Sequence, residues 1–213
     1  MSGKDKKILV ASTNPGKIAE LRTMLEGDIE WLSLADCNGI GEVEEDGVTF
    51  AENARKKAAG YAKAVGLWTI VDDSGLVVDA LGGAPGVNSA RFSGAKDKDR
   101  KLLDQKNIAK VLELLKGIPS EKRTAKFICH LCLASPDRVL IEAEGTLEGL
   151  INDKPVGENG FGYDPIFFVP HLNKTVAQLT TEEKNAISHR GNAIRKLKPL
   201  LDKLLRGCEE NPA

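Results

Sequence analysis

A run of only four apolar residues, Ile8-Leu9-Val10-Ala11, constrains the fold of this chain more than any other feature. It is too short for a helix and is followed at once by Ser12-Thr13-Asn14-Pro15-Gly16-Lys17, so it reads as a buried strand that opens straight into a helix. Asn14 suits the N-cap, and Pro15 suits the first helical position, where a missing N–H costs nothing. Ile18, Leu21 and Leu25 then repeat at helical spacing. Thr49-Phe50-Ala51-Glu52 is a capping-box pattern that opens a second helix, with Ala54, Ala58, Tyr61, Ala62 and Val65 on one face and Gly66 at its end. The next apolar run, Trp68-Thr69-Ile70-Val71, stops at Asp72-Asp73-Ser74-Gly75, and a short strand follows at 76–78.

Further on, a turn-rich segment at 82–86 leads to a charged helix carrying Leu103, Ile108, Val111, Leu112 and Leu115, closed by Gly117 and Pro119. Residues 124–133 alternate, with Phe127, Cys129, Leu131 and Leu133 on one face, and residues 138–144 alternate likewise. These two runs predict a hairpin turning at Ser135-Pro136-Asp137. A glycine-rich loop at 152–162 precedes Tyr163-Asp164-Pro165 and a strand at Ile166-Phe167-Phe168. The last part is helical, with Ile194, Leu197, Leu201 and Leu204 turned to the core. Strand–helix–strand order followed by adjacent strands predicts an α/β fold, a mixed β-sheet with flanking helices. The expectation is one domain over 7–206, with polar, flexible ends at 1–6 and 207–213.

Lys and Arg number 30 against 31 Asp and Glu, a net charge of −1. That balance makes no long-range field for nucleic acid or an anionic membrane, so neither is expected as a partner. No apolar run approaches the roughly 20 residues that span a bilayer. The polar, lysine-rich start is followed by too short an apolar stretch for a signal peptide, which predicts a cytoplasmic protein. Cysteines stand at 37, 129, 132 and 208. Cys129-His130-Leu131-Cys132 holds zinc-type ligands, but no second Cys-x-x-Cys or His pair completes a tetrahedral site, so reduced strand cysteines are expected.

Four places carry residue types suited to chemistry. The helix start at Asn14 to Lys17 presents unpaired N–H groups that suit phosphate, and Lys17 there opposes the helix dipole unless an anion sits between them. An ordinary capped helix with a solvated lysine is the plain alternative, and the GxxxxGK[ST] spacing of a P-loop is missing. Asp72 and Asp73, after an apolar strand and with Glu44 and Glu45 upstream, could form an all-oxygen Mg2+ site, although Asp-Asp-Ser-Gly alone reads as a solvated turn. Lys184 with Ser188-His189-Arg190, behind the helix signal of Thr180 and Glu183, supplies donors for an anionic or carbonyl-rich ligand, or else a solvated helix face. Gly160-Phe161-Gly162-Tyr163-Asp164-Pro165 could let a planar ligand stack, or could be a tight turn that buries Phe161.

The order of the blocks is specific. STNPGK (12–17), TFAENA (49–54), DDSGL (72–76), GGAPGVNSARFSG (82–94), GFGYDPIFF (160–168) and EEKNAISHRGNA (182–193) closely resemble the non-canonical purine nucleoside triphosphate pyrophosphatases, the inosine/xanthosine triphosphatase family. The resemblance runs from about Lys7 to Leu205. It implies an elongated mixed α/β sheet with two lobes, the nucleotide in the cleft between them, and a homodimer. It implies that Ser12, Thr13, Asn14, Pro15, Gly16 and Lys17 hold the triphosphate, with Lys57 as a further phosphate contact. Asp73 is then the general base and a metal-linked carboxylate, Glu44 the upstream metal ligand with Glu45 one residue away, and Ser74 a substrate contact. Phe161, Gly162, Tyr163, Asp164, Lys184, His189 and Arg190 line the base pocket, with His189 and Arg190 donating to a 6-oxo purine. Two positions depart from the pattern: Thr13 stands where many relatives have glycine, and Glu158 where small residues are common.

The expected reaction is Mg2+-dependent hydrolysis of ITP, dITP and XTP to the monophosphate and pyrophosphate, removing deaminated purines from the nucleotide pool. The alternatives are a broad nucleotide hydrolase that releases orthophosphate and a non-catalytic purine nucleotide sensor. Against the sensor, a polyanion would bind more easily without Asp72 and Asp73.

Overall fold

The computed structural model describes residues 6–25, 29–37 and 39–207; Cys208 and the other end residues lie outside that range. Strand β1 (Lys6–Val10) runs into helix α1 (Pro15–Met24), and β2 (Ile29–Ser33) returns parallel to β1. Helix α2 (Phe50–Val65) crosses to β3 (Trp68–Val78), which is parallel to β1 on its other side. After α3 (Arg100–Leu114) come β4 (Thr124–Ala134), β5 (Val139–Ile151), β6 (Phe167–Val169) and β7 (Lys174–Thr175). Helices α4 (Thr181–Ile187) and α5 (His189–Gly207) complete the chain. The seven strands form one sheet in the order β2-β1-β3-β4-β5-β6-β7, with β5, β6 and β7 antiparallel. The fold is therefore the expected mixed α/β sheet with flanking helices.

The local signals act much as their chemistry requires. Asn14 caps α1, its Oδ1 accepting from the N–H groups of Gly16 at 3.0 Å and Lys17 at 3.3 Å. Thr49 Oγ1 accepts from Glu52 N at 3.1 Å, but Glu52 reaches back to Val48 N at 2.9 Å rather than to the cap residue, so the box closes one residue early. Gly66 ends α2 in the left-handed conformation, φ 71°. At α4 the box is complete: Thr180 Oγ1 takes Glu183 N and the Glu183 carboxylate takes Thr180 N.

Two compact units can be distinguished. The first gathers the residues up to Asp73, Cys129–Gly145 and those from Arg190 onward. Both faces of β1 are buried, which is why it reads as an unbroken apolar run rather than an alternating one. Ile8, Val10, Ile70, Leu131 and Leu133 pack with Leu21 of α1 and Ile194, Leu197 and Leu201 of α5. Leu9, Ala11, Val71, Cys132 and Ala134 pack with Ala54, Ala58, Tyr61 and Ala62 of α2. Cys129 belongs to the first of these layers and Cys132 to the second, since an odd spacing on a strand reverses the face. Two thiols on opposite faces cannot share one ion.

The second unit, Ser74–Ile128 with Thr146–His189, has its own core. Leu76 and Val78 of β3, Ile108, Val111 and Leu115, Phe127 of β4, Ile151 of β5 and Phe167 of β6 make it up. Phe127 stacks on Phe167 with ring centroids 4.3 Å apart. The strand expected at 166–168 begins one residue later, because Asp164, Pro165 and Ile166 form a 3-10 turn.

One expectation needs correction. The segment Asp72-Asp73-Ser74-Gly75 is not a turn: β3 runs unbroken through it, and the short strand at 76–78 is its continuation. Gly75 is a turn former by composition but serves here as a point of close approach. Ser89 Oγ donates to Gly86 O at 2.6 Å and accepts from Leu76 N at 2.8 Å, so the 86–89 segment lies hard against the strand. A Cβ at Gly75 would come within 2.7 Å of Gly86 O and closer still to Ser89 Oγ. Gly75→Ala should therefore destabilise the protein by about 1–3 kcal/mol through overpacking. A lower urea midpoint at unchanged m-value is the expected result, and an unchanged midpoint would show that the segment yields freely.

Candidate functional site

The unpaired N–H groups expected at the start of α1 are taken: Gly16 N and Lys17 N donate to Asn14 Oδ1, Ile18 N donates to Asn14 O, and Pro15 has none. Ser12 Oγ accepts from Asn14 N at 3.1 Å, tightening the loop before the helix. Thr13 has no positive φ, so the loop does not need the glycine that many relatives have there. Lys17 is not a solvated lysine. Its Nζ turns back to Asp72, 2.7 Å from Oδ1 and 3.3 Å from the carbonyl oxygen.

Asp72 and Asp73 are adjacent on a strand and so face opposite sides of it. Asp72 shares its side with Ile70, toward α1 and α5, and Asp73 shares its side with Val71, toward α2. Each acid thus meets its own cations. Arg190 Nε lies 2.5 Å from Asp72 Oδ2 and its NH2 3.4 Å from Oδ1, a forked grip, while its NH1 lies 2.5 Å from Glu20 Oε2. The Cys129 thiol also donates to Asp72 Oδ2, at 3.1 Å. Burial works against the Asp72 charge, yet Arg190 and Lys17 hold its carboxyl well below the ordinary carboxylate range. Burial and the Asp72 charge push the Cys129 thiol far up, so it stays protonated and inert.

Asp73 is 7% exposed. Its Oδ1 takes Lys57 Nζ at 3.2 Å, and its buried Oδ2 has no partner. Burial pushes the Asp73 carboxyl up, against the pull of Lys57 and Lys17 and with a further push from Glu45. Lys57 Nζ bridges from Asp73 to Glu45 Oε1, 2.8 Å away. Glu45 is the half-buried acid brought to Lys57, whereas Glu44 beside it is exposed.

The segment carrying Glu45 is fastened along α2. Val43 N donates to Tyr61 Oη at 3.4 Å, Asp46 pairs with Lys56 at 2.5 Å and Gly47 N donates to Asn53 Oδ1 at 2.8 Å. Asn53, fully buried, was not among the residues singled out in the sequence. Nor was Glu20, whose only signal is its place one turn after Lys17 on α1.

The second unit assembles the other motif residues. Lys184 Nζ lies 2.6 Å from Asp164 Oδ2 and 4.4 Å from the centroid of the Phe161 ring. Phe161 N also donates to Asp164 Oδ2, at 2.9 Å, and Gly162 N donates to Asp104 Oδ2 at 2.8 Å. Tyr163 is structural in its contacts: the ring is buried and its hydroxyl donates to Ser89 O at 2.8 Å. Phe161 and Gly162 are half-buried, as is Ser74 at the first position of this unit. The His189 ring stacks on Phe127 at 4.7 Å. Asp104 had a faint sequence signal, a polar residue on the helical stripe of Ile108 and Val111. The structure thus gathers Lys17, Lys57, Glu45 and Asp73 in the first unit, and Phe161, Asp164 and Lys184 in the second. Arg190 is found with the first group, on Asp72 and Glu20.

The family model of the Ham1 family matches residues 8–200. A dITP/XTP pyrophosphatase of Bacillus subtilis (strain 168) is 50% identical over 200 residues, covering 92% of this chain and 98% of that protein. One from Desulforamulus reducens is 48% identical over 199 residues, covering 93% of this chain and 96% of its own. Among solved structures, the Staphylococcus aureus Ham1 protein has a TM-score of 0.82 at 43% identity, covering 93% of this chain and 99% of that one. A HAM1 protein from Coxiella burnetii has a TM-score of 0.83 at 40% identity, with the same two coverages of 93% and 99%. This chain belongs to the Ham1 family.

Proposed function

We infer that this protein is a nucleoside triphosphate pyrophosphatase that hydrolyses ITP, dITP and XTP to the nucleoside monophosphate and pyrophosphate. The observation that carries the chemistry is Asp73, a buried strand carboxylate with one oxygen paired to Lys57 and the other unpartnered. The relatives' names supply the substrate class. A general base must be buried enough to be basic and must have an oxygen not already taken by a donor, and Asp73 meets both conditions.

The same oxygen bears on the metal. Among the described residues no group of three His, Cys, Asp or Glu side chains is arranged for an ion. Two carboxylates, Asp73 and Glu45, are nonetheless what Mg2+ commonly takes, since it keeps several waters and shares its remaining positions with substrate phosphates. These two residues would hold it, and the ion would supply neutralisation of phosphate charge. The loop Ser12, Thr13, Asn14, Pro15, Gly16 and Lys17 cradles the triphosphate, with the Lys17 ammonium as its charge, and Lys57 adds a second cation. Asp73 Oδ2 takes a proton from the water that attacks the α-phosphorus, and the bond to the α–β bridging oxygen breaks to release pyrophosphate. Fixed charges at the phosphates supply most of the rate, as in other phosphoryl transfers.

At the base end, Phe161 offers a half-buried ring, with Gly162 beside it, and the Lys184 ammonium over the ring donates toward a 6-oxo group. Asp164 holds Lys184 in place, Tyr163 anchors the loop, and Ser74 and His189 complete the lining. Arg190 has its donors on Asp72 and Glu20, so its role becomes that of a buried counter-ion, and the reading of the base passes to Lys184. We further propose a cytoplasmic homodimer, each subunit 22.9 kDa, with no nucleic-acid or membrane partner; no helix among the described residues is long and apolar enough to cross a membrane.

Incubation of ITP with the protein and Mg2+ should give IMP and pyrophosphate in equal amounts, resolved by ion-exchange chromatography. Orthophosphate as the primary product would overturn the assignment. Asp73→Asn keeps the shape and removes the basicity, and its turnover should fall by about two to four orders of magnitude while triphosphate still binds. Turnover near wild type would leave Asp73 out of the mechanism.

The base reading has its own test. A site that pairs a buried donor with the 6-oxo group discriminates by up to about 10⁴–10⁵ against a purine presenting a donor there. The efficiency order should be ITP and XTP, then GTP, then ATP. Lys184→Met should compress the ITP-to-ATP ratio of kcat/KM, whereas Arg190→Ala should lower both substrates by a similar factor. A ratio compressed by Arg190→Ala and untouched by Lys184→Met would return base recognition to Arg190.

A further inference from the structure

We propose that Lys57 is an internal counter-ion that holds the cation position beside Asp73 and Glu45 in the free protein. It would yield that position to a divalent cation only when a triphosphate offers its ammonium another anion. The proposal rests on the reading of Asp73 and Glu45 as metal ligands.

The geometry points to the lysine as the group that moves. Its Nζ lies 2.8 Å from Glu45 Oε1 and 3.2 Å from Asp73 Oδ1, so one ammonium serves two carboxylates. Both carboxylates are fixed from behind. Asp73 lies within the unbroken strand β3, and the segment of Glu45 is fastened to α2 through Tyr61, Lys56 and Asn53. Gly47 packs so closely on Asn53 that a Cβ there would come within 2.6 Å of Oδ1, which leaves the segment little room to shift. Lys57 instead carries its charge on a flexible four-carbon stem.

A dication placed on these carboxylates while the ammonium remains would face a like charge a few ångströms away. Even at a high effective dielectric that repulsion outweighs a factor of ten in affinity. The bare ion therefore binds weakly, and it gains the site when phosphate oxygens draw Lys57 away. The same side chain that excludes the free metal then becomes a phosphate contact, so metal and nucleotide enter together rather than in sequence. Asp73 Oδ1 is the oxygen that the lysine would release, and Oδ2, buried and unpartnered, is a second acceptor on the same carboxylate.

The test is Mn2+ binding without nucleotide, followed by isothermal titration and by the EPR signal of free Mn2+. Lys57→Met, of similar length and without charge, should bind Mn2+ at least about tenfold more tightly than wild type. It should also bind a non-hydrolysable α,β-methylene analogue of ITP more weakly in EDTA. Lys57→Arg keeps the charge and should leave Mn2+ affinity near wild type. Lys57→Gln, whose amide can still donate to a carboxylate, serves as the uncharged variant if the methionine protein does not fold. An uncharged variant with a wild-type melting curve and no gain in Mn2+ affinity overturns the proposal. Adding Asp73→Asn to the uncharged variant should abolish the gain. If the tighter binding survives Asp73→Asn, the ion sits elsewhere and the metal assignment itself fails.

Discussion

The first unit depends on how two adjacent acids are accommodated in one strand. Side by side on a turn, Asp72 and Asp73 would repel each other and stay in water. On β3 the twofold period of the strand sends them to opposite faces, where each is buried against different helices. A buried carboxylate persists in its charged form only if it is paired, and the two are paired differently. Asp72 has Arg190, Lys17 and the Cys129 thiol, so its oxygens are fully used. Asp73 has Lys57 on one oxygen only. The saturated acid is a structural anchor, and the unsaturated one keeps an acceptor to spare.

Asp72 also ties together segments that lie far apart in sequence. Lys17 and Glu20 stand on α1, Arg190 opens α5, and Cys129 lies on β4. Removing one partner from such a buried network leaves an uncompensated charge, which typically costs about 3–5 kcal/mol. The start of α1 is thereby held to the strand that carries Asp73. While Lys17 is on Asp72, its charge does not oppose the α1 dipole without an anion to meet it, and the conflict evident in the sequence is resolved within the protein.

Much of this was legible in the residues. The four-residue run at 8–11, the Asn14-Pro15 cap, the Thr180–Glu183 box and the alternation of 124–133 each specify a local structure by chemistry that does not need the rest of the chain. The Asp-Asp-Ser-Gly segment misleads because its composition is that of a turn, while its conformation is set by burial on both sides and by Ser89 pressing against Gly75. Glu45 cannot be told from Glu44 by spacing, since an irregular segment has no period. Five residues of α2, from Glu52 to Tyr61, fasten that segment so that Glu45 is the one that meets Lys57.

The residues alone set the succession of strands and helices, the Asn14-capped start of α1 and the motifs that mark the Ham1 family. Those features rest on local backbone preferences and on fixed periods of apolar residues. The tertiary structure alone decided which charges meet. It gave Arg190 to Asp72 across 118 positions and Lys17 to the same acid across 55, and it left one oxygen of Asp73 without a partner. The physical reason is that charge pairing in a buried site depends on which faces of distant elements are packed together, and no local preference of the chain records that.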